Sequence, residues 1–490
     1  MSRSRRAAAG AALLAAAGMA AAADTPAGDA GRGRHLYLTG CLADGTPLAA
    51  QRPGVGALPP AAAACAACHR PSAMGGTEGG VLVPPIAGPL LFAAGRPLAA
   101  AMPRYAQDAQ TLADLTAFLR QRGSAPPPGA DDRTLHLASV VTPQAPPGRR
   151  AAVLQAMQAW SAGLRLGTRE VVWHRWQLDG PPANWPAQLD ALWAAQPVYA
   201  LLSGAGGDDW APVQTLCETR GLPCLMPVLD QPPADPGDPD HGRHWSLYLH
   251  GGPAAEARLL AQQLRSLPQP PARVRQVQAS AAGAAAAAAL RQTLADWSAI
   301  VVEHAAPGGS TASTGDGSLT VLWLPADAVA AWFAAQPPPP GPPVPRVVLS
   351  AQLASPLATP VPAAWRPFVW WASLRADPVR RAAGAALSLV PWLQRLGLPD
   401  DLDATTLDDV HAATFFFADA MAQLRGAVDT EQLPETLEMA VDRRPAGAGY
   451  ARLSLGPGQR IAAQSGQVLA FQPPGFNRLA PLGPLLRADD

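Results

Sequence analysis

The sequence predicts a multidomain protein in which a small all-α domain precedes a two-lobed α/β domain with parallel sheets. Three observations predict this architecture. A Cys-x-x-Cys-His motif at 65–69 lies between two segments with helical patterns, a proline-rich stretch follows at 124–133, and short apolar runs then alternate with Ala/Leu-rich helices. All 14 tryptophans follow the proline-rich stretch, so we place the domain boundary there.

The charge balance excludes several classes of protein. Lys+Arg and Asp+Glu are both 37, whereas a protein that coats nucleic acid needs an excess of basic residues to neutralise phosphates. Every basic side chain is an arginine, which excludes a P-loop lysine and a Schiff-base lysine. We therefore expect no nucleic-acid partner.

The first 23 residues predict a cleavable signal peptide. A basic start with three arginines is followed by a short apolar stretch at 7–17 and by small residues suited to cleavage at 21–23. An uncleaved membrane anchor is the alternative, but the stretch is short and rich in alanine. We expect the mature chain in the periplasm of a Gram-negative bacterium.

Cys65, Cys68 and His69 form the pattern of covalent c-type haem attachment. Two thiols at this spacing can add to the two vinyl groups on one edge of a porphyrin, and the next residue is carried under the iron as its proximal ligand. The alternatives are a redox dithiol and half of a zinc site, and zinc would need two more ligands nearby. The sequence predicts one covalent haem c.

Residues 28–123 resemble a class I cytochrome c. The resemblance is carried by the helical segment at 31–38, the Cys-x-x-Cys-His motif, the Pro84-to-Gly88 loop, and Met102-Pro103 before a helical pattern at 112–119. It implies that Gly33 packs against Phe118 and that the 84–88 loop supports the proximal histidine. The Pro/Gly/Ala-rich segment at 42–64 is longer than small cytochromes of this class carry, and Cys41 is left over.

Met102 is the distal iron ligand that this resemblance implies. Met74 is the competing ligand, but it lies only five residues beyond His69, which makes a path round the porphyrin edge strained. The 33 positions from 69 to 102 allow that path easily. With two axial ligands the iron has no open site, so we expect an electron carrier and not an enzyme such as a peroxidase.

Beyond the linker at 124–133, two similar sets of strands and helices are predicted. The first set has strands at 135–141, 170–176, 198–202 and 222–228, with helices at 149–164, 187–195 and 213–219. The second has strands at 245–249, 274–278, 299–302, 320–324, 346–349 and 368–371, with helices at 254–267 and 282–296. Two sets predict two lobes.

Residues 134–475 resemble type I periplasmic solute-binding proteins of the branched-chain amino-acid family. The best match is a strand and glycine turn at 198–207, then a helix and a strand with prolines at 223 and 227. The segments 408–425 and 450–468 are similar to the family's late helix and terminal hairpin. Residues 476–490 are expected to form a C-terminal tail.

A ligand site is expected at the turn after the 198–202 strand, with Ser203, Gly204, Asp208 and Asp209, and with Asp230 in a later loop. The resemblance implies a ligand carboxylate bound by hydroxyls and by N–H groups at helix N-termini. Carboxylates here would repel an anionic group, so a neutral or cationic ligand, or none, is expected. The alternative is that Asp208 and Asp209 only cap the following helix.

Cys217 and Cys224 bracket a helix-turn-strand segment. In an oxidising compartment they could form a disulfide, and two buried free thiols are the alternative.

Two functions are consistent with these features. The first is a periplasmic mono-haem cytochrome that carries electrons, with a receptor-like domain that docks a redox partner, either a periplasmic dehydrogenase or another cytochrome. The alternative is a ligand-responsive binding or sensor protein of the ABC-transporter receptor type, in which a small-molecule ligand changes the exposure or potential of a haem module.

Overall fold

A computed structural model describes residues 26–78, 81–88, 102–122, 126–233, 244–297, 301–305, 318–342, 344–356, 360–424, 429–443, 449–456 and 458–488. The predicted signal peptide at 1–23 lies outside these residues. The chain divides into two compact units, Met1–Ala125 and Pro126–Asp490, and the division falls within the predicted linker. Among the described helices, none combines the length and apolar character needed to cross a membrane.

The N-terminal unit contains two longer helices and several short elements. In chain order these are α1 (Ala30–Thr39), β1 (Ala50–Arg52), β2 (Gly56–Ala57), α2 (Pro60–Ala63), α3 (Ala66–His69), β3 (Gly76–Glu78), β4 (Val81–Val83), β5 (Arg104–Tyr105) and α4 (Ala109–Gln121). Strands β2, β1 and β5 form an antiparallel sheet in that order, and β3 pairs with β4. The all-α prediction is therefore wrong for this unit. Segment 42–64 supplies a hairpin because Gly54 and Gly56, both with positive φ, allow its tight turn.

Helices α1 and α4 pack closely through a glycine. A Cβ on Gly33 would collide with the Asp114 carbonyl and lie 3.0 Å from the Cβ of Phe118. The Phe118 ring lies 5.2 Å from the ring of Tyr37. The predicted contact between Gly33 and Phe118 is therefore present.

The C-terminal unit alternates strands and helices along most of its length. Its strands are β6 (Thr134–Val141), β7 (Arg165–Leu166), β8 (Arg169–Gln177), β9 (Ala200–Leu202), β10 (Cys224–Leu225), β11 (Ser246–His250), β12 (Arg273–Gln278), β13 (Val301–Ala305), β14 (Leu319–Trp323), β15 (Val347–Ser350), β16 (Val369–Ser373), β17 (Ile461–Ala463), β18 (Ser465–Gln472), β19 (Arg478–Pro481) and β20 (Leu486–Arg487). Its α-helices are α5 (Pro147–Ser161), α6 (Trp185–Ala195), α7 (Ala211–Arg220), α8 (Gly252–Arg265), α9 (Ala281–Thr293), α10 (Ala326–Ala335), α11 (Ala351–Ala354), α12 (Pro378–Gly384), α13 (Val390–Leu396), α14 (Ala404–Gln423) and α15 (Gln432–Arg443).

These strands form two sheets, one in each lobe. The order is β17-β11-β10-β9-β6-β8-β7 in the first lobe and β13-β12-β14-β15-β16-β18-β19 in the second. Most neighbours are parallel, as predicted, and β18 and β19 run antiparallel at the edge of the second sheet. Several tryptophans of this unit are buried in its core, and Trp185, Trp323 and Trp371 are fully covered.

Three sequence predictions about this unit are wrong in their long-range placement. The strand at 245–249 belongs to the first sheet, where β11 pairs with β10. The segment 450–468 is not a hairpin within one sheet: an antiparallel bridge joins Gly456 to Gln459, but β17 then joins the first sheet and β18 joins the second. The residues assigned to a tail at 476–490 include β19 and β20, which both pair with β18.

Over the described residues the chain passes between the lobes three times: after β11, after β16, and between β17 and β18. The carboxyl ends of parallel strands from both sheets therefore face a cleft between the lobes. Open α/β sheets bind ligands outside these strand ends.

Candidate functional site

Cys65, Cys68 and His69 lie on one helical turn of the N-terminal unit. Cys65 is the N-cap of α3, and Cys68 and His69 are its last two residues, so the two thiols are three positions apart on one side of the turn. The His69 side chain is buried, and both cysteines are half-buried free thiols. This is the spacing that a two-point attachment requires.

The Pro84 carbonyl fixes the orientation of the His69 ring. His69 Nδ1 lies 3.0 Å from the Pro84 oxygen. A carbonyl only accepts, so Nδ1 carries the proton and the Nε2 lone pair is left for a metal. Burial lowers the pKa of His69 although this hydrogen bond raises it, and the neutral imidazole is the form that binds iron. The loop at 84–88 thus has the supporting contact that the sequence resemblance implies.

The Cys65 thiol does not have the character of the reactive cysteine of a redox dithiol. Burial, with a smaller contribution from Cys68, raises the pKa of Cys65 to about 11. Reactive dithiols need a lowered pKa. For zinc, no cluster of three or more His, Cys, Asp or Glu is arranged to hold a metal ion within the described part of the chain.

The two methionine candidates occupy different surroundings. Met74 packs against the apolar cluster that includes Tyr37 and Phe118, so it has a packing role in the core. Met102 is half-buried and lies two residues before β5. Two thiols on one turn, a buried imidazole with one nitrogen fixed and a thioether elsewhere in the same unit are the kinds of donor that haem c uses.

In the C-terminal unit, Ser203 and Gly204 follow β9 at the cleft. Ser203 is buried, has a φ of 43°, and its Oγ contacts no hydrogen-bonding partner among the described residues. A Cβ on Gly204 would lie 2.6 Å from the Cη2 atom of Trp210, and one on Gly206 equally close to its Cε3. These glycines therefore make room for the Trp210 indole. This packing explains why a glycine is needed at position 204, and no ligand is required to explain it.

Asp230 is paired within the first lobe. Arg149, near the start of α5, places Nη2 2.5 Å from the Oδ1 atom of Asp230 and donates from Nη1 to the Gly206 carbonyl oxygen at 2.7 Å. The negative charge of Asp230 is therefore balanced by Arg149, which weakens the repulsion of an anionic ligand that we expect from this carboxylate. Arg149 was not predicted as a site residue, because it lies 81 positions from its partner with no local motif between them.

Asp208 approaches the second lobe. Burial raises its pKa, as does the charge of Asp230, whereas the backbone N–H groups of Ala282 and Ala281 lower it. Those N–H groups belong to the first turn of α9, so this carboxylate of the first lobe faces a helix start of the second. The alternative of helix capping is wrong, because α7 begins after Trp210 without a side-chain cap. Asp209 is exposed.

Glu256 is a buried carboxyl group of the second lobe. The Oε2 atom of Glu256 accepts from Ser350 Oγ at 2.5 Å, and its Oε1 accepts from the Gln352 backbone N–H at 3.1 Å. Burial raises the pKa of Glu256 to about 8. The Gln352 side chain then crosses to the first lobe, where Nε2 lies 3.4 Å from the Leu229 oxygen and 3.1 Å from His250 Nε2.

A buried ion pair lies where the chain returns to the first lobe after β16. Arg375 donates to both carboxylate oxygens of Asp409 at 3.0 and 2.8 Å, and the Tyr450 hydroxyl donates to the same carboxylate at 2.8 Å. Asp409 lies on α14 of the first lobe. These buried groups hold the segment in which the chain passes from the second lobe to the first.

Cys217 and Cys224 are joined as a disulfide, with 6.1 Å between their Cα atoms. The bond links the last turn of α7 to the start of β10 and resolves the two alternatives in favour of the oxidised pair.

Comparison with known proteins establishes the fold of the larger unit. No family model and no curated protein matches the chain. A fatty acid ABC transporter substrate-binding protein from Thermomonospora curvata matches with a TM-score of 0.54 and 14% identity, over 75% of this chain and 97% of that one. A branched-chain amino acid ABC transporter from Thermus thermophilus with bound valine matches with a TM-score of 0.52 and 11% identity, over 73% and 97%. An ABC transporter substrate-binding protein from Aeropyrum pernix gives 0.51 and 10%, over 73% and 96%.

At these identities the likeness concerns the fold. The chain contains the two-lobed α/β fold of type I periplasmic binding proteins, with mixed but largely parallel sheets. The three proteins are described as solute-binding or transport proteins and not as enzymes.

Proposed function

We propose that this protein is an exported, periplasmic mono-haem c-type cytochrome that carries electrons, fused to a solute-binding-protein-like domain that docks its redox partner. One observation carries the proposal. Cys65, Cys68 and His69 lie on one turn, and the Pro84 carbonyl holds the His69 ring with Nε2 available for a metal.

Each residue of this turn has a defined role in the proposal. Cys65 and Cys68 would hold the haem through thioether bonds, and His69 Nε2 and Met102 Sδ would be its axial ligands. When bound, the haem supplies one-electron redox chemistry, and a thioether ligand raises its potential. Cys65 packs against the apolar cluster of the N-terminal unit.

The receptor fold favours a second candidate function, a binding or sensor protein of the ABC-transporter receptor type. The T. thermophilus structure contains bound valine. In this chain, however, two carboxyl groups at the cleft already have partners: Asp230 pairs with Arg149, and Glu256 accepts from Ser350 and Gln352. The Ser203 hydroxyl is the exception, since it contacts no partner among the described residues. We therefore favour docking of a redox partner, a dehydrogenase or another cytochrome, over capture of an amino acid.

The test is the mass and spectrum of the protein exported by a host that matures c-type cytochromes. The expected product has lost its leader and carries one covalent haem, with a low-spin spectrum. Cys65→Ala/Cys68→Ala should have the apo mass, whereas Cys41→Ala should keep its haem. An apo mass for the wild-type protein would reject the proposal.

A further inference from the structure

The segment at 42–64, unexplained by the sequence, is tied to the chain that follows Met102. Its strand β1 pairs with β5, with Ala50 opposite Tyr105 and Gln51 opposite Arg104. The Ala106 N–H also donates to the Ala49 carbonyl oxygen at 3.0 Å. On its other edge β1 pairs with β2, so β1 lies between β2 and β5 in the sheet.

The Tyr105 side chain makes a second connection, to the chain that precedes the attachment motif. Its hydroxyl donates to the Ala63 carbonyl oxygen at 3.0 Å. Ala63 is fully buried, ends α2 and lies two residues before Cys65. Tyr105 is itself half-buried, so a carbonyl that lost this donor would be left without the partner it has here.

The backbone between Met102 and β5 leaves little freedom. Pro103 fixes its own φ near −65° and restricts Met102 to extended conformations. Strand β5 begins at Arg104, only two residues after Met102. The Met102 backbone therefore lies within about 7 Å of extended chain from a residue that the sheet holds in place.

We propose that Tyr105 and the 42–64 hairpin form a clamp that positions Met102 as the distal iron ligand, with Tyr105 as the positioning residue. This inference rests on the proposed haem function. A neutral thioether is a weak ligand, and the iron keeps it only while the chain holds it close, as a high effective concentration. Loosening the clamp should let an external ligand displace Met102 more readily.

The experiment uses the full-length haem protein and titrates the oxidised form with imidazole, following loss of the thioether-to-iron band in the red. Tyr105→Phe removes only the hydroxyl. We expect about five- to tenfold tighter apparent imidazole binding, the consequence of losing one partly buried hydrogen bond that holds the ligand loop. The reduction potential should fall as the Met-bound fraction falls.

The matched control is Tyr37→Phe, which removes a hydroxyl that donates to the Arg70 carbonyl oxygen at 2.6 Å in the same unit. The Arg70 carbonyl follows His69 in the chain and is remote in sequence from Met102. The imidazole affinity of Tyr37→Phe should therefore equal that of the wild-type protein. Met102→Ala defines the spectrum without a thioether.

The outcomes separate the clamp from the haem assignment. If the wild-type protein carries no haem, or if Met102→Ala keeps the band, the ligand assignment fails and the clamp with it. If Met102→Ala loses the band but Tyr105→Phe binds imidazole like Tyr37→Phe, the clamp is wrong and the haem assignment stands.

Discussion

Gln352 of the second lobe reaches across the cleft, with its Nε2 atom 3.4 Å from the carbonyl oxygen of Leu229 in the first. Its backbone N–H meanwhile donates to Glu256. Together with the approach of Asp208 to α9, this contact joins the two lobes of the C-terminal unit directly. Each side chain that bonds across the lobes is one polar group fewer for a ligand in the cleft.

The first prediction concerns Asp208. Asp208→Ala removes the carboxylate that faces the first turn of α9, where a negative charge is stabilised by the free N–H groups and the helix dipole. Hydrogen–deuterium exchange at Ala281 and Ala282 should speed up severalfold. Asp209→Ala removes an equal charge from an exposed neighbour and should leave that exchange unchanged. Equal exchange in the two variants would show that Asp208 does not cover the helix start.

The second prediction is that the protein binds no common amino acid with submicromolar affinity. An amino-acid carboxylate needs unpaired donors, whereas Arg149 is already engaged by Asp230 and Gly206. Calorimetric titration against the common amino acids should give no tight binder. Tight binding of leucine, isoleucine or valine would instead promote the ligand-responsive function to first place.

Much of the C-terminal fold could be predicted because its signals are local. The spacing of apolar residues and the positions of glycine and proline predict most strands of the two sheets. The predicted ends of these strands lie within about two residues of the observed ends. The hairpin predicted at 450–468 is only partly present. Gly456 and Gln459 form an antiparallel bridge, and the Ser454 N–H donates to the Ala462 carbonyl oxygen, but β17 and β18 pair with strands of different sheets.

The cleft could not be predicted in the same way. Arg149 and Asp230 are 81 positions apart, and Asp208 meets α9 only once both lobes have folded. Such pairs depend on which strand ends come together, which no local pattern encodes. The proposed haem-attachment motif is different, because the attachment chemistry itself requires two cysteines and a histidine within five consecutive residues.

The third prediction concerns the pH dependence of unfolding and Glu256. Its pKa in the folded protein, about 8, lies above the ordinary value of 4.5 because the carboxyl is buried. The protonated form is therefore favoured by folding, and the associated stability is present below pH 4.5 and lost as the pH rises through 8. Glu256→Gln, a neutral isostere, should flatten the free energy of unfolding between pH 5 and 8.

Urea unfolding of the C-terminal unit, followed by tryptophan fluorescence at several pH values, measures this slope. Because all 14 tryptophans lie beyond the linker, the signal reports that unit alone. A slope unchanged by Glu256→Gln would place the titration on another group.

The fourth prediction concerns the ion pair that joins α1 to α4. The Asp114 carboxylate accepts from Arg32 Nε at 2.7 Å and from the Asp29 backbone N–H at 2.7 Å. The hydrogen bond from Arg32 lowers the pKa of Asp114 to about 2. Its stabilisation is present above the unfolded value of about 4 and is lost as the pH falls towards 2.

Asp114→Asn should therefore destabilise the N-terminal unit at pH 7 and have little effect near pH 2. The double variant Arg32→Gln/Asp114→Asn isolates the pair, because its deviation from the sum of the single changes is their coupling. Thermal unfolding followed by the haem absorption gives all three values. Equal destabilisation at pH 7 and pH 2 would exclude the ion pair as the cause.

The last prediction is that the two units fold independently, and the structure sets where the chain can be cut. Residues 129–133 belong to the C-terminal unit, because the Gly129 carbonyl oxygen accepts from the His136 N–H at 2.7 Å and the Asp131 carboxylate accepts from the Arg133 and Thr134 N–H groups. The cut should therefore come at Ala125, ahead of Pro126, where the compact units divide.

A protease site inserted there should release a red, folded N-terminal piece and a colourless, folded C-terminal piece. Each piece is long enough to bury its own core. The circular dichroism of the two pieces should sum to that of the intact protein, and each should unfold cooperatively. A site inserted after Asp131, the matched control, would break the Asp131 turn and should lower the unfolding temperature of the C-terminal piece alone. If cutting at Ala125 unfolds either piece, the units depend on each other and the boundary is wrong.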